Sequence, residues 1–183
     1  MTIKFTVNDY LRRTTQSSAF VAGFVSGFVD GSFLGPLFAL QSMKQMRNDV
    51  SYGDALKRLL RSNPLRLALP MAMRNGVFTC IMFGGHHAAN AKSESAATFG
   101  RNLLVGSVLN VPATIAASPF DVMRAKQIQF LLEGKPTGAF LIARTLYSQG
   151  GVRAFYQGYG SLYVNFALRF PFTFALFRFL MEL

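Results

Sequence analysis

Residues 118–127 read SPFDVMRAKQ and close a long apolar run. Pro119 precedes a carboxylate, Asp121, and cations follow it at three and five residues, Arg124 and Lys126. Proline redirects a helix. A carboxylate and a cation one helical turn apart then offer ion pairing to a neighbouring helix. Other polar groups interrupt apolar segments at Asp30, Arg74, Asn110, Asn165, Arg169 and Arg178. Asp30 shares a helix face with Gly23 and Gly27, at spacings of seven and three. Asp30, Arg74, Asn165 and Arg169 are candidates for polar contacts lining a cavity, with the two arginines suited to an anionic solute. The alternative is that these residues pair with each other or snorkel to lipid headgroups.

Covalent and metal chemistry find no support. His86 and His87 are adjacent, so on a helix they point about 100° apart. They have no further histidine or nearby cysteine to complete a metal site. No nucleophile–base set occurs, and no glycine-rich phosphate loop follows a strand. The reading is therefore not an enzyme, with no metal and no cofactor. A single cysteine, Cys80, excludes an internal disulfide framework.

The elements that must carry these residues are apolar. Of 183 residues, 51% are hydrophobic and 15% charged, yet 19 Lys and Arg oppose 8 Asp and Glu for a formal charge of +11. Such a chain suits an anionic membrane surface better than a nucleic acid, because its cations cluster between apolar runs and do not form a solvated stripe. Four segments approach the roughly 20 apolar residues that a bilayer span needs. They lie near residues 17–42, 67–90, 99–129 and 156–182, and the first and third exceed the bilayer thickness. The first loop holds Lys44, Arg47, Lys57, Arg58, Arg61 and Arg66, and the third holds Arg124, Lys126, Lys135, Arg144 and Arg153. The middle connection, near 91–98, carries only Lys92 and Glu94. Four spans put both basic loops on one side and both termini on the other, and the positive-inside rule places the basic side in the matrix or cytoplasm. Each basic loop also has a helical pattern. Leu56, Leu59 and Leu60 oppose Lys57, Arg58 and Arg61, while Phe140, Ile142 and Leu146 oppose Arg144. Both predict short amphipathic helices in the interface. Residues 1–16 carry Arg12, Arg13 and several hydroxyls without the apolar core of a secretory signal, and Asp9 interrupts a mitochondrial presequence pattern.

Span, basic loop with surface helix, span: this order occurs twice. Pro36 and Pro119 are 83 residues apart, as are Gly23 and Gly106. Gly23 and Gly27 form a small-xxx-small face for close helix packing, and Gly106 keeps its place in the second copy. NPLRLAL (63–69) is similar to GGVRAFY (150–156). The organisation is thus an N-terminal segment (1–16), a degenerate repeat (17–95) and a signature-bearing repeat (96–183). The fold class is an all-α membrane protein of four transmembrane helices in two repeats, each with a short amphipathic helix on the matrix side.

These residues resemble the mitochondrial carrier family, whose odd helices end in P-x-[DE]-x-x-[KR]-x-[KR]. Pro119, Asp121, Arg124 and Lys126 match every fixed position, and QGGVRAFYQG is similar to the acidic-Gly and aromatic-[KR]-Gly stretches, with Gln149 for the acid and Gln157 for the cation. The resemblance implies a ring of ion pairs between odd helices that gates the matrix side, each of order 1 kcal/mol or less where water enters. It also implies six spans in three repeats, against four spans and two repeats here. In the first copy Phe38, Gln41 and Met43 align with Asp121, Arg124 and Lys126, so neither carboxylate nor cation is offered. The expectation is that Asp121 and Arg124 lack family-type partners in this chain. An open half-barrel would then leave Asp30, Arg74 and Asn165 toward lipid unless neighbours cover them.

The resulting functional expectation is a carrier-like protein of the mitochondrial inner membrane, with both termini on the intermembrane-space side. It has lost transport and acts as an accessory subunit of a respiratory-chain or ATP-synthase assembly. The competing expectation is a solute transporter working as an oligomer or with a partner chain. Expected partners are inner-membrane subunits and anionic lipids, with no nucleic acid. The family binds cardiolipin at matrix-side helix N-termini. Similar places here are Gly53, Gly138 and Gly158, with Lys57, Lys135 and Arg153 supplying charge. The alternative for these glycines is that they only start helices.

Overall fold

In hydrocarbon a backbone amide has no partner but the chain itself, so long apolar runs become helices. The computed structural model describes residues 2–15, 18–47, 49–62, 64–90, 99–135, 137–158 and 160, and among these there is no strand. In chain order the elements are α1 (Thr2–Thr15), α2 (Ala19–Met46), α3 (Tyr52–Arg61), α4 (Pro64–Asn90), α5 (Phe99–Leu132) and α6 (Ala139–Gly150), followed by a 3-10 turn, Gly151–Tyr156. Three described helices are long and apolar enough to cross a membrane, over Ala19–Met46, Leu67–Ala89 and Gly100–Leu132. The 34 residues of α5 extend about 50 Å, beyond the roughly 30 Å hydrocarbon core. The expected start of a fourth span is corrected, because Tyr156 ends the 3-10 turn and residues 157–158 form a turn. The rest of that segment, apart from residue 160, lies outside the described residues. So do residues 91–98 of the middle connection.

The chain divides into two compact units. The first is built from Met1–Gly27, Gly76–Ala117 and Gly158–Leu183. Its core gathers Phe78 and Met82 of α4 with Ala113 and Ala117 of α5, and Ile81 and Leu109 pack against them. Here α2 lies against the backbone of α4: a Cβ placed on Gly23 would stand 2.8 Å from the Thr79 carbonyl oxygen. The N-terminal segment is a helix, which composition did not indicate. Phe5 of α1 meets Phe83 edge-on at 5.2 Å, Asn8 is buried, and an Arg12 Nη2 donates to His87 Nδ1 at 3.3 Å.

The second unit holds Phe28–Asn75 and Ser118–Gln157. Its main core joins Ala39 and Met43 of α2, Ala55 and Leu59 of α3, Leu67 of α4, and Ile128 and Leu131 of α5. A second cluster packs Ile142 and Leu146 of α6 with Ala154, against Val122 and Phe130 of α5. Arg58 of α3 donates to the Leu132 carbonyl at 2.9 Å, satisfying an acceptor at the C-terminus of α5. Both surface helices form where their patterns put them, but the core takes only part of each apolar arc. Leu59 is buried while Leu56 and Leu60 are exposed, and Ile142 and Leu146 are buried while Phe140 is 85% exposed.

Gly31 and Gly35 extend the four-residue glycine spacing of α2 into this unit. A Cβ on Gly31 would lie 2.6 Å from the Ala72 Cα and 2.6 Å from the Met71 carbonyl oxygen, both backbone atoms that cannot swing away. A Cβ on Gly53 would meet only the Ser51 hydroxyl, at 3.9 Å. Gly31→Ala is therefore expected to destabilise the purified protein by about 1–3 kcal/mol through overpacking, whereas Gly53→Ala leaves it unchanged or slightly more stable. Denaturation in detergent checks this, and equal midpoints for Gly31→Ala and the parent would contradict the close α2–α4 contact.

Candidate functional site: a buried charge chain across three helices

Within the second unit, α4 lies between two carboxylates. Its consecutive residues Arg74 and Asn75 project in different directions, because neighbours on a helix diverge by about 100°. Asn75 Nδ2 donates to Asp30 Oδ2 on α2 at 3.1 Å. Arg74 Nη1 donates to Asn75 Oδ1 at 2.9 Å, and Arg74 Nε donates to Asp121 Oδ2 on α5 at 3.2 Å. The result is a continuous chain, Asp30–Asn75–Arg74–Asp121. Asp30, Arg74 and Asn75 are buried, and the Asp121 side chain is 13% exposed. Charged groups so far from water persist only when compensated: Asp121 is ion-paired with Arg74, and Asp30 accepts a hydrogen bond from the Asn75 amide.

Arg124, one turn after Asp121, turns to α2. Its Nη2 donates to Ser42 Oγ at 2.8 Å and, at a longer 3.4 Å, to the Phe38 carbonyl. Its guanidinium also lies 5.9 Å from the centre of the Phe38 ring. Ser42 Oγ in turn donates to the Phe38 carbonyl at 2.8 Å. Arg124 makes no ion pair among the described residues. Two carboxylates and two guanidinium groups nevertheless make the cluster neutral as a whole.

Asp121 and Arg124 thus lack family-type partners among the described residues, as expected, yet both are held by other groups, and Asp30 and Arg74, which were expected to need covering from outside, are buried within the unit. The partners come from places that alignment of the two copies does not compare. Asp121 reaches an even helix, α4, and not the odd helix α2. Arg124 donates to a hydroxyl and a backbone carbonyl in place of a carboxylate. Phe38, which aligns with Asp121, does contribute, through its main chain and its ring. Asn75, Ser42, Gly31 and Gly35 were not singled out from sequence. Asn75 follows Arg74 directly, and an amide beside an intramembrane arginine is a usable signal.

The remaining candidates are distributed along the elements. Pro119 is half-buried within α5, which continues through it. Lys126 donates to Gln129 Oε1 at 3.1 Å and lies 5.6 Å from the Phe130 ring centre. Gly23, Gly27 and Gly106 are buried. Gly53 is in the first turn of α3, Gly138 is the N-cap of α6 with extended backbone, and Gly158 holds φ at +80°, which favours glycine. Lys57 and Arg153 are exposed. Lys135 pairs with Glu133 at 2.6 Å, and bonds from Lys135 and Gln129 hold the exposed Glu133 carboxyl below its usual range. Asn165 and Arg169 lie outside the described residues.

Removing one partner of a buried pair strands the other. Arg74→Gln and Asp121→Asn are each expected to cost about 3–5 kcal/mol. The double replacement should cost clearly less than the sum, because neither charge is then left alone. A double-mutant cycle on denaturation in detergent measures this, and strict additivity would contradict the pairing.

Residues 95–183 match the family model for mitochondrial carrier protein. That is just under half of the 183-residue chain, and it contains α5, α6 and the Pro119–Lys126 pattern. No curated protein and no solved structure matches. Over residues 95–183 the chain is similar to the mitochondrial carrier family, and its described residues form helices of which three are long and apolar enough to cross a membrane.

Proposed function

We propose that this carrier-like chain resides in the mitochondrial inner membrane, has lost transport, and acts as an accessory subunit of a larger assembly such as a respiratory-chain or ATP-synthase complex. The observation that carries this reading is the Asp30–Asn75–Arg74–Asp121 chain. A gate must exchange partners as it cycles. Here the signature carboxylate is tied to an arginine on α4 that is itself held through Asn75 to α2. Opening it would leave charges unpaired at membrane depth, at about 2.5–3.5 kcal/mol each. The first copy supplies no alternative charge, with Phe38, Gln41 and Met43 at the aligned positions. Such a cluster suits a fixed joint between helices.

In this reading the basic loops face the matrix, both termini face the intermembrane space, and exposed apolar residues of the spans, such as Phe33, Leu37, Leu104 and Val108, meet lipid or neighbouring subunits. Anionic phospholipid, cardiolipin in particular, is the proposed bound lipid, at the N-termini of α3 and α6 and at Gly158, with Lys57, Lys135 and Arg153 nearby in sequence. A second reading, a solute transporter acting as an oligomer or beside a partner chain, draws on the same cluster, since charges buried within spans often mark solute paths.

Two experiments separate these readings. Proteoliposomes offered nucleotides, carboxylates or amino acids should show exchange no faster than protein-free liposomes. Native electrophoresis of gently solubilised mitochondria should place the chain with a large complex. Exchange at carrier-like rates together with migration as a free monomer or small oligomer would overturn the subunit reading. Native mass spectrometry should also retain anionic phospholipid on the purified chain, in smaller amount when Lys57 and Arg153 are changed to Gln. Loss of all lipid from the parent protein would reject the lipid sites.

A further inference from the structure

The second unit contains a cavity of about 350 Å³, at the lower end of the size of small-ligand pockets. Its floor is apolar, from Val122 of α5, Leu146 of α6 and Met46 at the end of α2, and its polar lining includes Lys126, Gln149 and Gln157. The family resemblance places an acid at 149 and a cation at 157, and this chain has amides at both. Among the described residues Lys126 makes no ion pair; it bonds to Gln129 and packs over Phe130. Gln129, also in the lining, accepts from Lys126 and donates to Glu133 at 2.9 Å. The nearby Glu133 charge is balanced by Lys135. The side chains of Gln149 and Gln157 make no hydrogen bond among the described residues. The cavity thus combines one ammonium group, two open amides and an apolar floor.

We infer that this cavity captures the C-terminal end of a partner protein: its terminal carboxylate on Lys126, its last peptide groups on Gln149 and Gln157, and an apolar final side chain over Val122 and Leu146. The chemistry favours a peptide end over a simple carboxylic acid. A carboxylate engages only donors, whereas each glutamine also presents a carbonyl acceptor, and a peptide end brings N–H groups to satisfy it. Capture of terminal carboxylates is an established recognition mode. The inference deepens the reading of the chain as a subunit and rests on it for the occupant being a protein.

The test uses the full chain in nanodiscs of zwitterionic lipid. The probe is a pool of hexapeptides randomised at the last two positions, made both with a free terminal carboxylate and amidated. Retained peptides are expected to carry the free acid and an apolar last residue, with at least a tenfold preference over the amidated pool. Lys126→Gln should abolish that preference. So should Gln149→Glu, which sets a carboxylate across from Lys126 at an exposed position where the fold tolerates charge. Equal retention of acid and amide, no retention of either, or an unchanged preference in both variants would overturn the inference. None of these outcomes alters whether the chain migrates with a large complex, so failure here is distinct from failure of the subunit reading.

Discussion

The buried ion pair between Arg74 and Asp121 is the constraint around which the second unit is arranged. A guanidinium group 9% exposed in a spanning helix has few stable options. It requires a carboxylate, and Asp121 supplies one from α5. It also requires that its other donors be used, and Asn75 takes one while passing the connection to Asp30 on α2. Three helices are therefore fixed in mutual register by three short polar side chains and one long one. The glycines of α2 follow from this. Gly31 and Gly35 let α2 come against Ala72 and Ala68 of α4, and a side chain at either position would hold Asp30 away from Asn75.

Much of this was legible from residue type and spacing. Run lengths indicated four spans, three of which correspond to described helices long enough to cross a membrane, and the alternation of Leu and Lys or Arg marked α3. The signature residues Pro119 to Lys126 pointed to the family, which the match over 95–183 bears out. Asp30 and Arg74 stood out because charges inside apolar runs are rare. Their connection was not legible. It runs through Asn75, an unremarkable amide, and between residues 45 and 47 positions apart, where no local rule applies. The contact of Asp121 with Arg74 was not foreseen because only helices in equivalent repeat positions were compared. The helical N-terminus was missed for a related reason: α1 is ordered by contacts such as Phe5 on Phe83, which lie far away in sequence.

Charge placement also separates this chain from the gate that its signature implies. A ring of carboxylate–cation pairs between odd helices is symmetric and exchangeable, and each pair is weak where water enters. Here the carboxylate is committed to an even helix, and the cation that follows it is held by a serine hydroxyl and a main-chain carbonyl of α2. These are local, unequal contacts with no counterpart to exchange with at Phe38, Gln41 or Met43. The same substitution of neutral for charged groups at Gln149 and Gln157 leaves Lys126 beside an open cavity. In the proposed reading, loss of charge at the aligned positions has two consequences: a joint that stays closed and a cation able to meet a partner.

The central claim is that the Arg74–Asp121 contact is permanent in the membrane. Solid-state NMR on protein in bilayers, with ¹⁵N in the arginine guanidinium groups and ¹³C in the aspartate carboxyl groups, measures the dipolar coupling across that pair directly. A single coupling matching the 3.2 Å N–O contact, unchanged by added solutes, is the predicted result. A second population with the pair separated, or a coupling that weakens when a solute is supplied, would contradict it.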